Sequence, residues 1–179
     1  NPVLNKTDGD KLVFKDMRFT MKVQQESYNS LIAFSNGTFF VTNSNNQFRS
    51  LRFVGGNMNP KDFSVGTFTS SFSVRWADMP NCDSNSDATV DVKASIDSNG
   101  FIKCLISWYR TFYVPCFMTI EIIKGVLDKD GNIDKQELIH SKVFEIYGSY
   151  NAKRLALNPI LRCDAQTTEN TCKTESVLN

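Results

Sequence analysis

The stretch from residue 126 to 138, VLDKDGNIDKQEL, carries the residue types of a calcium-binding loop. Oxygen-bearing side chains stand at the first, third and fifth ligand positions of an EF-hand pattern. The pattern then fails, because the sixth position needs glycine and holds Ile133, and the twelfth needs glutamate and holds Ile139. A weak calcium site at a turn stays an alternative, with these candidate ligands: Asp128, Asp130, Asn132 and Asp134.

The same stretch is better explained as a β-hairpin with a two-residue turn at Asp130-Gly131, a favoured turn dipeptide. The resulting register pairs Lys124 with Glu137 and Ile123 with Leu138. A charge pair and an apolar pair would both stabilise neighbouring strands. A short helix from Lys135 is the competing interpretation, since the two acidic residues around it resemble a capping box.

Residues that could support catalysis do not form a recognisable set. His140 is the single histidine, and no G-x-S-x-G nucleophile motif occurs. Carboxylates that could act as a hydrolase pair are more commonly solvated sheet charges, and they are Asp83, Asp87, Asp91, Glu121, Glu137 and Glu145. No phosphate-binding glycine loop is present. We therefore predict a non-enzymatic protein with no catalytic residue and no cofactor.

Aromatic residues around one arginine form the best candidate contact patch. Tryptophan, tyrosine and arginine dominate the energetics of many interfaces. Strand alternation would bury every second residue of this stretch, so part of it also suits the core. The predicted binding patch consists of Trp108, Tyr109, Arg110, Phe112 and Tyr113.

The five cysteines indicate an oxidising compartment. No Cys-x-x-Cys is present, which makes zinc binding a poor explanation. Two disulfides with one leftover thiol is the natural count. We predict Cys104–Cys116 between neighbouring strands and Cys163–Cys172 in the polar tail, with Cys82 free or linking two chains.

Two N-glycosylation sequons, at Asn5 and Asn36, agree with secretion. The polar first residues lack a signal-peptide pattern, so we expect any secretion signal to be removed or to lie outside this chain. The expected location is secreted or on the outer face of the cell surface. Reduced cysteines in a cytosolic protein are the alternative.

Composition excludes several classes of function. The 179 residues carry a formal net charge of +1, without the basic face that nucleic-acid binding needs. No apolar run reaches the ~18–20 residues of a transmembrane helix. Fourteen phenylalanines and five methionines can fill a substantial core.

Alternating hydrophobicity, the signature of strands, covers most of the chain. Residues 15–23 place Met17, Phe19, Met21 and Val23 on one face. The Asn36-Gly37 dipeptide predicts a two-residue hairpin turn, which would set Phe34 opposite Phe39 and Ile32 opposite Val41. The apolar parity changes after Gly66, which predicts a bulge or bend there.

The hairpin in residues 88–110 admits two registers. A two-residue loop would mix polar and apolar partners, whereas a loop of Ser98-Asn99-Gly100 makes one face apolar throughout. Because the buried face decides register, we predict the three-residue loop. It gives these pairs: Ile96 with Ile102, Ala94 with Cys104, Val92 with Ile106, and Val90 with Trp108.

These patterns predict an all-β fold of about eight to ten antiparallel strands in a two-sheet sandwich, with jelly-roll or Greek-key connections. A closed barrel is the alternative. Residues 1–163 would form one domain, and residues 164–179 a polar tail pinned by a disulfide. We expect an extracellular recognition module that binds a protein or a glycan. A carrier of a lipid or other apolar ligand is the alternative, and a carboxylate-based hydrolase is least favoured.

Overall fold

A computed structural model describes residues 12–23, 25–55, 59–80, 87–149 and 151–157. Eleven strands are found in these ranges. In chain order they are β1 Leu12–Val23, β2 Glu26–Phe34, β3 Thr38–Thr42, β4 Gln47–Val54, β5 Asp62–Thr67, β6 Ser71–Pro80, β7 Thr89–Asp97, β8 Ile102–Trp108, β9 Phe112–Leu127, β10 Ile133–Gly148 and β11 Asn151–Leu157.

The strands form two antiparallel sheets that face each other. One sheet has six strands in the order β1-β2-β3-β4-β9-β10, and the other has five in the order β11-β8-β7-β6-β5. The prediction of a two-sheet sandwich is therefore confirmed. The alternative of a closed barrel is wrong, because each sheet keeps two separate edge strands instead of pairing them.

The core lies between the sheets and is built from alternating residues, as the strand pattern requires. In β1 the predicted inward positions Met17, Met21 and Val23 are buried, and Phe19 packs partly against them. On the five-stranded sheet Trp76 is fully buried. Its ring lies 5.3 Å from that of Phe53 on the six-stranded sheet, so aromatic contacts join the two layers.

The β7–β8 hairpin has the predicted register at all four positions. Ile96 lies opposite Ile102, and the pairing continues to Val90 and Trp108. Gly100 closes the three-residue loop with a φ of 76°, in the left-handed region that glycine tolerates. The prediction is confirmed because only one register buries a single apolar face.

The β2–β3 hairpin differs by one residue from the predicted register. Ala33, not Phe34, lies opposite Phe39, and Ile32 lies opposite Phe40. The turn is longer than two residues, and Gly37 closes it with a φ of 88°. Both faces of this hairpin are apolar, so hydrophobicity alone could not choose between the two registers.

The predicted bulge at Gly66 is also wrong. β5 pairs with β6 without a register shift from Asp62 to Thr67. The change of apolar parity reflects a hairpin turn around residues 68–70, where the chain reverses from β5 into β6. An actual bulge lies between Trp76 and Met79, next to Asp78, whose φ is 51°.

The β9–β10 hairpin confirms the predicted pairs Lys124–Glu137 and Ile123–Leu138. The turn itself is one residue longer than predicted, because the amide of Asp128 donates to the carbonyl of Asn132 at 2.8 Å. A register shift after Ile133 restores the predicted pairing. The alternative of a short helix from position 135 is wrong, since this segment is strand.

Candidate functional site

The predicted aromatic patch divides between core and surface. Trp108 and Phe112 are fully buried, and the indole nitrogen of Trp108 donates to the carbonyl of Ser149 at 2.9 Å. Tyr109 and Tyr113 are exposed, with Tyr113 at 81%. Arg110 is also exposed, 3.4 Å from the carboxylate of Asp87. The five residues therefore do not form one continuous surface.

A different apolar surface lies on the outer side of the six-stranded sheet, and we call it the Phe117 face. Thr119 pairs with Val54 on β4 and Val143 on β10, which sets one row across three strands. In the next row Phe117 lies opposite Glu145. Large apolar side chains that are 41–59% exposed define this face, and they are Val54, Phe117, Val143 and Tyr147.

Alternation within β10 separates the Phe117 face from the core. Phe144 and Ile146 are buried between the sheets, whereas their neighbours Val143 and Tyr147 point to the opposite side and are exposed. Tyr113 lies near the same end of β9, because the adjacent Phe112 pairs with Gly148. Sequence analysis missed this face, since both sides of β9 and β10 carry apolar residues.

The Phe117 face is bordered by an ion pair and by an open sheet edge. The guanidinium of Arg52 donates from its Nε to Glu121 at 2.8 Å, in the row next to Val143. Within the described ranges β10 pairs with β9 only, so its other side is an edge. Interfaces often combine such an apolar centre with a polar rim.

A second surface is polar and concave. Glu26 and Arg49, which are half-buried, form a cluster with the buried Tyr28, and the side chains of Tyr28 and Arg49 both bond to the carboxylate of Glu26. The Tyr28 hydroxyl donates to it at 2.5 Å and the Arg49 guanidinium at 3.1 Å. The same guanidinium donates to the Tyr28 oxygen at 3.1 Å. This cluster borders a cleft of about 250 Å³ at the turn end of the β9–β10 hairpin.

The environment of Glu26 keeps it ionised. Burial alone would raise the pKa of this carboxyl, but hydrogen bonds from Tyr28 and Arg49, with the charges of Arg49 and Lys124, outweigh burial and lower the pKa. The pKa of Tyr28 is raised, first by burial and then by its bond to Glu26. Both groups therefore hold fixed protonation states near neutral pH.

Acidification is expected to weaken this cluster. Because the pKa of Glu26 is lower in the folded state, its stabilising effect is present above the unfolded value of about 4.3 and is lost as pH falls through the folded value. Thermal unfolding measured from pH 7 to 3 should therefore show a smaller acid-induced drop in Tm for Glu26→Gln than for the unchanged protein. Glu145→Gln, at an exposed carboxylate, is the control and should leave the slope unchanged. Equal slopes for all three proteins would contradict the assignment.

Three of the four predicted calcium ligands belong to the turn between β9 and β10, and the fourth, Asp134, lies in β10. One carboxylate oxygen of Asp128 accepts the amides of Asp130 and Asn132 at 2.8 and 2.9 Å. These bonds lower the pKa of Asp128, the bond from Asn132 being the strongest cause. The carboxylate thus stabilises the turn from within. In the described ranges no group of three or more His, Cys, Asp or Glu side chains could hold a metal ion.

The cysteine prediction needs one correction. Cys104 is a buried free thiol whose pKa burial raises to about 12, so the Cys104–Cys116 disulfide is wrong. The two residues lie on β8 and β9, which belong to different sheets and do not pair. Cys116 is disulfide-bonded. Cys82, Cys163 and Cys172 lie outside the described ranges.

The remaining candidate residues are spread over both sheets. His140 faces Ile122 on β9, and burial followed by the charge of Lys142 lowers its pKa. Within the described residues nothing hydrogen-bonds to Nε2 of His140.

Among the predicted carboxylates, Asp91 has a structural use. It is buried and accepts from Arg75 at 2.8 Å and from the amide of Asp78 at 2.9 Å, so it supports the β6 bulge. Asp83 lies outside the described ranges.

Of the two predicted glycosylation sites, the structure describes only one. Asn36 is half-buried at the β2–β3 turn rather than fully exposed, and Asn5 lies outside the described ranges. Glycosylation at both positions stays a prediction.

By its fold, this protein belongs to the class of antiparallel two-sheet β-sandwiches. No protein-family profile matches the chain, and no curated protein or solved structure shows significant similarity to it. The described residues contain no helix long and apolar enough to cross a membrane.

Proposed function

We propose that this protein is an extracellular recognition module that binds a protein partner through the Phe117 face. One observation carries the proposal: four large apolar side chains from three neighbouring strands are exposed together. Scattered single apolar residues are normal on a surface, but a contiguous group is typical of an interaction site.

The chemistry of the face favours a protein over a glycan. Val54, Phe117 and Val143 offer no side-chain hydrogen-bonding atoms, and Tyr147 offers only its hydroxyl. A sugar needs several convergent donors and acceptors, whereas an apolar protein surface needs only matching shape. The Arg52–Glu121 pair beside the face would contribute to a polar rim.

Packing between the sheets near the β7–β8 turn disfavours the carrier alternative. A space between the sheets near Gly100 measures about 30 Å³, against roughly 300–1,000 Å³ for sites that enclose drug-sized ligands. Aromatic side chains such as Phe39, Phe72 and Trp76 fill the interior nearby. The large phenylalanine content therefore has a structural use in the core.

The extracellular location is part of the proposal and rests on two features. Cys116 is disulfide-bonded, and such bonds persist mainly in oxidising compartments. The sequons at Asn5 and Asn36 are compatible with secretion. The sequence has a single histidine and no G-x-S-x-G motif, so a non-catalytic role is part of the proposal.

Binding to intact cells of the source organism, measured by flow cytometry, tests the proposal. The double variant Phe117→Ser/Tyr147→Ser should reduce the bound fraction at least tenfold, because central aromatic residues dominate interface energetics. Its Tm should stay close to that of the unchanged protein, since both side chains are more than half exposed.

Phe68→Ser is the matched control, because Phe68 is a similarly exposed aromatic residue on the other sheet's β5–β6 turn. It should bind like the unchanged protein. Equal binding by the double variant and the control would refute a role for the Phe117 face. If protease pretreatment of the cells left binding intact, a protein partner would be excluded.

A further inference from the structure

The polar cleft lies far from the Phe117 face, at the other end of the long β9–β10 hairpin. Eight residues separate Phe117 from Gly125 along β9, which corresponds to about 26 Å of extended strand. The cleft is lined by side chains from four strands. The lining residues used in this argument are Glu26, Gln47, Lys124, Val126, Lys135 and Glu137.

Several hydrogen-bond acceptors of the cleft are already occupied by the protein itself. One oxygen of Glu26 accepts from both Tyr28 and Arg49. One oxygen of Glu137 lies 2.9 Å from the ammonium of Lys124. The side-chain oxygen of Gln47 accepts from the amide of Asn43 at 2.7 Å.

Fewer of the hydrogen-bond donors of the cleft than of its acceptors are engaged by the protein itself. Lys135 has no ion-pair partner within the described residues and is exposed. The amide nitrogen of Gln47 stays free to donate, because the contact to Asn43 uses its oxygen. Lys124 carries three N–H donors, of which one suffices for Glu137. An occupant should therefore bring acceptors.

Charge leads to the same expectation. The lining of the cleft carries Lys124 and Lys135 against Glu26 and Glu137. Glu26 already pairs with Arg49 behind the cleft and Glu137 pairs with Lys124, which leaves Lys135 without an ion-pair partner among the described residues. A carboxylate is the simplest group that supplies both negative charge and several acceptor atoms.

The volume and the apolar lining of the cleft limit the rest of the ligand. A volume of about 250 Å³ is below the roughly 300–1,000 Å³ of sites for drug-sized ligands, so one ring fits better than an extended chain. Val126, which is 38% exposed, supplies the apolar lining. Glu26 and Glu137 each keep a second oxygen that can accept from a hydroxyl group.

We infer that this cleft binds an acidic sugar, with the carboxylate on Lys135 and Gln47 and the ring over Val126, which lies between them in one row of the sheet. The hydroxyl groups of the sugar would donate to the remaining carboxylate oxygens. This site is separate from the Phe117 face, so each can fail without the other.

The test is a titration of the full protein with glucuronate, followed by NMR chemical-shift changes or calorimetry. Glucose lacks the carboxylate and acetate lacks the ring, and both should bind at least tenfold more weakly. Lys135→Ala should weaken glucuronate binding about tenfold, as expected for loss of one charge-assisted contact. Lys135→Arg should retain most of the affinity.

Lys153→Ala, at an exposed lysine on β11, is the matched control and should bind normally. Equal affinity for glucose would overturn the role of the carboxylate, and equal affinity for acetate would overturn the role of the ring. Unchanged affinity in Lys135→Ala would place binding elsewhere. Methyl glucuronide keeps the carboxylate but blocks the anomeric hydroxyl, as a glycosidic bond does. Retained binding therefore indicates the end of a glycan, and lost binding indicates a free monosaccharide.

Discussion

Replacing Trp76 with alanine is expected to lower the free energy of unfolding by about 3–5 kcal/mol. The side chain is fully buried, and its ring lies 5.3 Å from Phe53, 6.1 Å from Phe63 and 6.5 Å from Phe39. Removing it leaves a cavity where the two sheets meet. It also removes the indole donor from the carbonyl of Phe34, 2.8 Å away.

Urea unfolding followed by circular dichroism measures this effect. Trp76→Phe separates the two causes of this loss. It keeps most of the aromatic volume but removes the hydrogen bond to the Phe34 carbonyl, which contributes about 0.5–1.5 kcal/mol. Phe68→Ala removes an exposed aromatic side chain and should change stability by no more than about 0.5 kcal/mol. A Trp76→Ala loss as small as that of Phe68→Ala would contradict the placement of Trp76 at the centre of the core.

Replacing Gly125 with alanine is expected to cost about 3 kcal/mol, although it adds only one methyl group. A Cβ atom at this position would lie 2.0 Å from the carbonyl oxygen of Lys135 and 2.7 Å from the ring of Phe48. The first obstacle is backbone of the paired strand, which cannot rotate away as a side chain can. The β9–β10 hairpin would have to open near the polar cleft.

Gly66→Ala is the matched control, because a Cβ there would meet only side chains, the nearest being Phe68 at 3.3 Å. Its effect on the free energy of unfolding should stay below about 1 kcal/mol. Hydrogen exchange should show faster opening around residues 124–137 in Gly125→Ala alone. Similar stability of the two alanine variants would contradict the close approach of β9 and β10.

Hairpins show where sequence suffices to determine a register and where it does not. For β7–β8 only one register makes a single face apolar, and that register is observed. For β2–β3 both faces are apolar, because Ile32, Phe34 and Phe40 form a second buried cluster on the outer side of the sheet. Two registers then satisfy the same pattern, and turn geometry decides between them.

The candidate site was less predictable than the fold. Trp108 and Phe112 looked suitable for an interface by residue type, but alternation places both in the core. Phe117 and Tyr147 are exposed because alternation points them to the outer side of the six-stranded sheet, where the described residues leave them uncovered. Strand order depends on long-range pairing, which local periodicity does not contain.

The disulfide prediction failed for a similar reason. Cys104 and Cys116 are close in sequence, but the chain crosses from one sheet to the other between them. Cys104 pairs with Ala94 and Leu155 instead. Mass-spectrometric mapping of non-reduced peptides would identify the partner of Cys116.

The most direct test of the central claim is hydroxyl-radical footprinting of the protein, free and bound to cells of its source. We predict that Phe117 and Tyr147 are oxidised in the free protein and strongly protected in the bound state. Phe68 and Tyr109, exposed on other surfaces, should be oxidised equally in both states. Protection of Phe68 or Tyr109 with no change at Phe117 and Tyr147 would contradict recognition through the Phe117 face.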